Sequence, residues 1–395
     1  MRKLVAFSIL YSITVILGGC SMIAQGRTEI DKIFITRVIS IDEAENGRIK
    51  VTLTTKSSSS DSSGKQPKET SESIVSDGIN LADAHKNLLV HTDKKPSFGH
   101  TEYILFGEAL ARKGIKPYLD YISRYNEFRY NAKMYIVKGD TGNSLVQKSS
   151  TAKLFVGDRI SRNEENEILT SLSSSVSLNE ALLIFDRKDL DLFIPSIELS
   201  KEPTMGENAA THDILLSGYA IFNKDKLSYF TPPEEARGIN WMMNRIGSGV
   251  IVVKNSLGEE VSLTIINGKT KIKPRITGNE LHCDVTALLS TNVSEIMGGK
   301  TILDSKSIEN LTALQNNAIK KEIESTIEKA QRNNSDHFSI VSRFIIEYPM
   351  MKDYFLQNWK ELFPDIKFNV TIKSYIKGTY MINEPSGHTE NIRGE

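Results

Sequence analysis

The sequence predicts an α+β protein: mostly antiparallel sheets with helices packed on one face, divided into two or three domains. Three observations carry this. Consecutive strand-like runs fill Gly249 to Leu289, with glycine-bearing turns between them. Helical patterns then run on from about Ser305 to Phe363, and strands in a block followed by helices in a block is the α+β arrangement. A polar stretch from Lys201 to His212, with Pro203 and Gly206, separates these from an earlier region of mixed strands and helices. A chain of 395 residues is long enough to bury more than one core.

The N-terminus reads as a processing segment. Arg2 and Lys3 precede an apolar run from Leu4 to Leu17 that is dotted by Ser8, Ser12 and Thr14. The run falls short of the roughly 20 apolar residues that a spanning helix needs. It ends in Leu17-Gly18-Gly19-Cys20, the leucine, small, small, cysteine order of a bacterial lipoprotein site. Residues 1–19 are therefore taken as a signal peptide and 20–28 as a polar spacer. Cys20 is the lipid attachment residue, carrying diacylglyceryl on its thiol and an N-acyl chain. Each buried CH₂ contributes about 0.8 kcal/mol, and stable anchoring takes more than one chain. An ordinary secretory signal with a chance cysteine is the plainer alternative.

Charge narrows the partners. The chain balances 49 basic against 49 acidic residues, and removing Arg2 and Lys3 leaves a slight acidic excess. Such a balance offers no overall field to gather nucleic acid or anionic lipid heads. With Cys20 acylated, Cys283 stands alone and no intrachain disulfide can form.

The N-terminal region, 29–200, opens on strand-like Ile33 to Ile41 and on Arg48 to Thr54, whose Ile49, Val51 and Leu53 share one face. Glu45-Asn46-Gly47 between them signals a hairpin turn. Residues 57–73, rich in Ser, Lys and Glu, read as a mobile loop. Asn80 caps a helix through Val90. His100 to Phe106 and Lys133 to Val137 read as strands. Between them a helix from Glu108 to Arg124 bends or restarts near Pro117. Helices at Glu164 to Leu172 and Leu178 to Ile184 lead to a strand from Leu190 to Leu199.

The C-terminal domain, 213–382, starts with a strand from Ile214 to Phe222, a turn at Asn223-Lys224-Asp225, and a short strand to Phe230. Pro232-Pro233-Glu234-Glu235 opens a helix, since proline and acid suit a first turn. Four strand-like runs follow: 249–253, 260–266, 270–276 and 280–289, with turns at Gly258, Gly268 and Gly278-Asn279. A long helix, 305–332, carries the apolar stripe Ile308, Leu311, Ile319, Ile323 and Ile327. Two shorter helices and a strand from Ile366 to Ile376 complete the domain, and 383–395 reads as a flexible tail.

No catalytic constellation emerges, and no cofactor or metal is expected beyond the lipid. Gly298-Gly299-Lys300-Thr301 and Gly268-Lys269-Thr270 lack the earlier glycine of a phosphate loop. Gly247-Ser248-Gly249 lacks a strand–turn–helix elbow. His282 and Cys283 point to opposite faces of a strand. His85, His91 and His100 are better explained by a helix surface and a strand start. Asp31, Asp42 and Glu43 read as solvated strand ends.

The ordered pieces resemble the C-subunit lipoprotein family of bacterial spore germinant receptors. They include Arg27-Thr28-Glu29-Ile30, Gly99-His100 before Ile104-Leu105-Phe106-Gly107-Glu108, and Leu110 to Ile115. Arg124-Tyr125-Asn126-Glu127-Phe128-Arg129 follows. In the second half come Leu216 to Phe222, Glu235-Ala236-Arg237-Gly238-Ile239-Asn240-Trp241, Asp336-His337-Phe338 and Trp359 to Phe363. Ser21-Met22 replaces the Trp-Asp pair common after the cysteine. The resemblance implies a non-enzymatic subunit on the outer face of the spore inner membrane, beside integral A-type and transporter-like B-type subunits that sense nutrients. Arg124 and Arg129 are possible partner contacts, whose guanidinium forks suit carboxylates. Gly238 and Trp241 are read as structural, for close helix packing and as a core aromatic whose indole N–H needs a partner. The rival readings are an extracytoplasmic solute-binding lipoprotein, which predicts two lobes with parallel sheets, and a lipid-anchored hydrolase.

Overall fold

The computed structural model describes residues 29–59, 68–149, 155–187, 190–205, 210–298 and 304–379. Cys20, the signal and spacer segments and the tail from 383 lie outside them. The α+β class holds, with mixed sheets.

The first sheet has nine strands. Strand β1 (Ile33–Ile35) stands apart from it, pairing in parallel with β5 (Lys95–Ser97). Strands β2 (Val38–Glu43) and β3 (Ile49–Ser59) form the expected hairpin, with Ile41 opposite Val51 across a turn at Glu45–Gly47. Strand β4 (Lys68–Gly78) pairs with β3 as far as Ser59↔Lys68. Of the serine-rich stretch read as a loop, 57–59 and 68–73 thus belong to two paired strands, and 60–67 lie outside the described residues. Ladder hydrogen bonds compensate for side chains too polar to pack.

Helix α1 (Leu81–His91) is capped by Asn80, whose Oδ1 accepts from Asp83 N at 2.9 Å. Strand β6 (Tyr103–Gly107) leads into α2 (Glu108–Lys113) and α3 (Lys116–Arg124), separated at Gly114 just before Pro117. Strand β7 (Lys133–Val137), α4 (Gly142–Ser149), α5 (Val156–Thr170), β8 (Val176–Ser177), α6 (Leu178–Asp186) and β9 (Phe193–Met205) follow.

The sheet centre departs from the sequence expectation. Strands β2, β6, β7 and β9 are mutually parallel, because each connection carries the chain back to the same end of the sheet, first through β3, β4 and α1 and then through helices. Such strands are buried on both faces. One face packs Ile41, Phe106 and Ile136 against Leu81, Leu110, Ile122 and Leu178. The other packs Leu105 and Tyr135 against Leu145 and Ile160.

Strands β10 (Ala210–Asn223) and β11 (Lys226–Phe230) complete the edge of this first sheet, although the sequence places them in the C-terminal domain. Alternation explains the difference. Ala220 and Phe222 enter the first sheet's core, whereas Tyr219 and Ile221 enter the core of the second half.

The second sheet has order β12-β13-β14-β15, comprising Val250–Lys254, Glu260–Thr277, Glu280–Met297 and Lys367–Thr379. The runs read as two strands around Gly268 are a single β13, with a register shift between Ile265 and Asn267. Helices α7 (Pro233–Met242), α8 (Ser305–Arg332), α9 (Ile340–Glu347) and α10 (Lys352–Leu362) supply this core. The return through α8 to α10 makes β15 parallel to β14.

Candidate functional site

A buried polar network lies where the two halves meet, around α7 and the loop after it. Asn240 is fully buried. Its Oδ1 accepts from the Tyr219 hydroxyl at 2.7 Å, and its Nδ2 donates to the Ser171 carbonyl at 2.8 Å. Ser171 ends α5 in the left-handed region, turning the chain so that its carbonyl faces Asn240. Its hydroxyl donates to the Ser248 carbonyl and accepts from Gly247 N. The Gly247-Ser248-Gly249 segment therefore grips the first half. Arg245 adds an ion pair to Glu180 on α6, with its guanidinium 5.2 Å from the Phe193 ring centre.

Beside this clamp, Glu167 accepts from Ser175 N at 2.7 Å and from the Ser173 hydroxyl at 3.1 Å. Burial pushes its carboxyl up to about 7 despite those bonds.

On its other side α7 lies against α8. A Cβ on Gly238 would fall 2.1 Å from Thr326 Oγ1 and 2.5 Å from the Glu322 carbonyl oxygen, a close approach that only glycine permits. Arg237 pairs with Glu322 across the same contact. Trp241 is fully buried, and a Cβ on Gly268 would lie 2.6 Å from its ring. Its indole nitrogen finds no hydrogen-bond partner among the described residues, unlike the expectation for a core tryptophan.

The remaining candidates are dispersed. Arg124 closes α3, exposed and bidentate to Asp120 at 2.9 and 3.1 Å. Arg129 is exposed in the turn before β7. Neither approaches the clamp as a bonded partner. Asp42 is not a solvated strand end: it is fully buried and accepts from Gly142 N and Asn143 N at 2.7 and 2.9 Å. Asp336 is buried, accepts from Ile340 N, Val341 N and Trp359 Nε1, and is pushed up to about 6 by burial. Ser335 Oγ and His337 Nδ1 lie 3.4 Å apart, but both residues are walled from solvent and burial holds the imidazole down to about 3. Among the described residues no group of three ligating side chains gathers.

Asn240, Arg245, Ser171 and Glu167 escaped the sequence reading. One signal was available: an amide inside Ile239-Asn240-Trp241-Met242 must find partners if that segment is buried.

Residues 26–199 match the family profile described as spore germination protein N-terminal domain, and 217–380 that described as spore germination B3/GerAC like, C-terminal. The chain belongs to this family of spore germination proteins, the C-subunit type of germinant receptor. Among curated relatives, Bacillus subtilis spore germination protein KC is 22% identical over 79% of this chain and 80% of its own. Bacillus subtilis spore germination protein B3 is 20% identical over 96% and 99%, and Bacillus cereus GerQC is 22% identical over 94% and 97%. The crystal structure of the GerBC protein shares the fold, with a TM-score of 0.53 at 17% identity, covering 86% of this chain and 96% of that one.

Proposed function

We propose that this chain is a lipid-anchored, non-catalytic subunit of a spore germinant receptor, required for nutrient-triggered germination. Cys20 holds it on the outer face of the spore inner membrane, beside A-type and transporter-like B-type subunits. The observation that carries this reading is the family match over both halves of the chain, in register with a lipoprotein site at Leu17 to Cys20. Tethering raises the local concentration of the folded body, so modest contacts to its membrane partners suffice. The clamp supports a scaffold role, because it ties two cores into one unit without presenting a reactive group to solvent.

The four parallel strands of the first sheet are what a solute-binding lobe would show, but the second sheet offers no matching lobe. Spores carrying Cys20→Ala test the proposal. The variant is expected to leave the membrane fraction on a high-salt wash, which screens surface charge, and to lose the response to one nutrient while responses to others persist. Normal fractionation and normal germination would refute the anchored-subunit reading. Calorimetric binding of a free nutrient to the chain alone would favour the solute binder.

A further inference from the structure

The second sheet is covered on one face only. Its other face collects cations that the balanced composition of the whole chain conceals. Along β13, Lys269, Lys271, Lys273 and Arg275 are all exposed and share the face opposite Ile272 and the core. Register places Leu288, Thr286, Asp284 and His282 of β14 beside them. Lys373 and Lys367 of β15 lie one strand further on, and exposed Tyr375 is two residues beyond Lys373 on the same face. Asp284 is engaged by Arg275 at 3.5 Å, and Glu280 at the sheet's end by Lys367. Among the described residues, no ion pair engages Lys269, Lys271, Lys273 or Lys373.

We propose that this open sheet face docks on an anionic phospholipid surface, as a second contact besides the acyl anchor. The idea rests on the reading that the protein works beside a membrane. The occupant follows from the charge and from the type of cation. Like-charged side chains repeated along a sheet repel one another unless an opposite charge faces them. Lysine is depleted at protein–protein interfaces, where arginine is favoured. This face carries lysine on two strands with a single arginine, which suits diffuse phosphate headgroups rather than a shaped protein pocket. Tyr375, exposed with an apolar body and a polar tip, suits the same boundary.

The test uses the chain from residue 20 with Cys20→Ser, made without lipid, so the anchor itself is left out of the question. All described elements lie beyond that cut. Co-sedimentation is measured with vesicles of phosphatidylcholine alone and mixed with phosphatidylglycerol. Binding is expected only to the mixed vesicles, weakening as salt rises. Each lysine at an anionic surface changes affinity about fivefold, so Lys269→Gln/Lys271→Gln/Lys273→Gln should lower it about a hundredfold. The control Lys86→Gln/Lys116→Gln/Lys226→Gln removes equal charge from exposed sites elsewhere and should leave binding nearly intact. Equal losses in both triples, binding to neutral vesicles, no binding at all, or capture by an acidic soluble protein instead of vesicles would each overturn the proposal. None of these outcomes bears on acylation at Cys20, which the fractionation experiment decides separately.

Discussion

Replacing Asn240 by alanine removes the amide that joins the two halves, and its cost can be worked from the geometry. The substitution strips the acceptor from the Tyr219 hydroxyl and the donor from the Ser171 carbonyl, at 2.7 and 2.8 Å in the native chain. Both groups stay buried with no replacement, at about 1–3 kcal/mol apiece. The expected loss is therefore about 3 kcal/mol, allowing for partial relaxation. A double-mutant cycle with Tyr219→Phe separates the contributions. In the Asn240→Ala background, Tyr219→Phe removes an orphaned hydroxyl and should cost much less than it does in the native chain. Urea unfolding is the assay. Trp241 and Trp359, the two tryptophans, both report on the second half, while far-ultraviolet circular dichroism reports on the whole. In Asn240→Ala the two transitions should separate as the halves uncouple. A loss below about 0.5 kcal/mol, the size of an ordinary surface substitution, would refute the clamp.

Glu167 carries the pH dependence. Burial raises its carboxyl from an ordinary 4.5 to about 7, so the native state holds a proton that the unfolded chain releases between those values. Its contribution is fully present below about 4.5 and lost as pH rises to about 7; Glu167→Gln should flatten that part of the Tm curve, and an unchanged slope would refute the assignment. Asp336, raised to about 6, contributes with the same sign and remains in the variant. Burial pushes the Cys283 thiol up to about 12, so iodoacetamide at mild alkaline pH should label it only after unfolding. Rapid labelling of the native chain, read by intact mass, would contradict that.

Local patterning made much of the second half legible. The long helix has the bounds its sequence predicts, because the apolar stripe from Ile308 to Ile327 keeps one period. The hairpin at Glu45–Gly47 was legible for the same reason, since alternation and turn chemistry agree there. What stayed hidden depended on partners distant in the chain. Strands β6 and β7 look alike whether their neighbours run parallel or antiparallel; only the intervening helices hint at a crossover. Gly268 read as a turn because glycine most often marks one, whereas here it makes room for the ring of Trp241. The serine-rich arms of β3 and β4 carry no hydrophobic pattern, so nothing local distinguished a ladder from a loop. Asp42 and Glu167 are ordinary carboxylates in sequence, and only burial by remote segments gives them their behaviour. The basic face escaped because net charge averages over the whole chain.

Strand β10 has a consequence for anyone dissecting the molecule. The gap between the two matched family regions, 199 to 217, falls inside the β9–β10 pair. Expressed alone, residues 217–380 would bare Ala220 and Phe222 to water, and residues 26–199 would lose the wall that those two side chains supply. Fragments cut at the evolutionary seam should thus aggregate, because one strand faces both interiors.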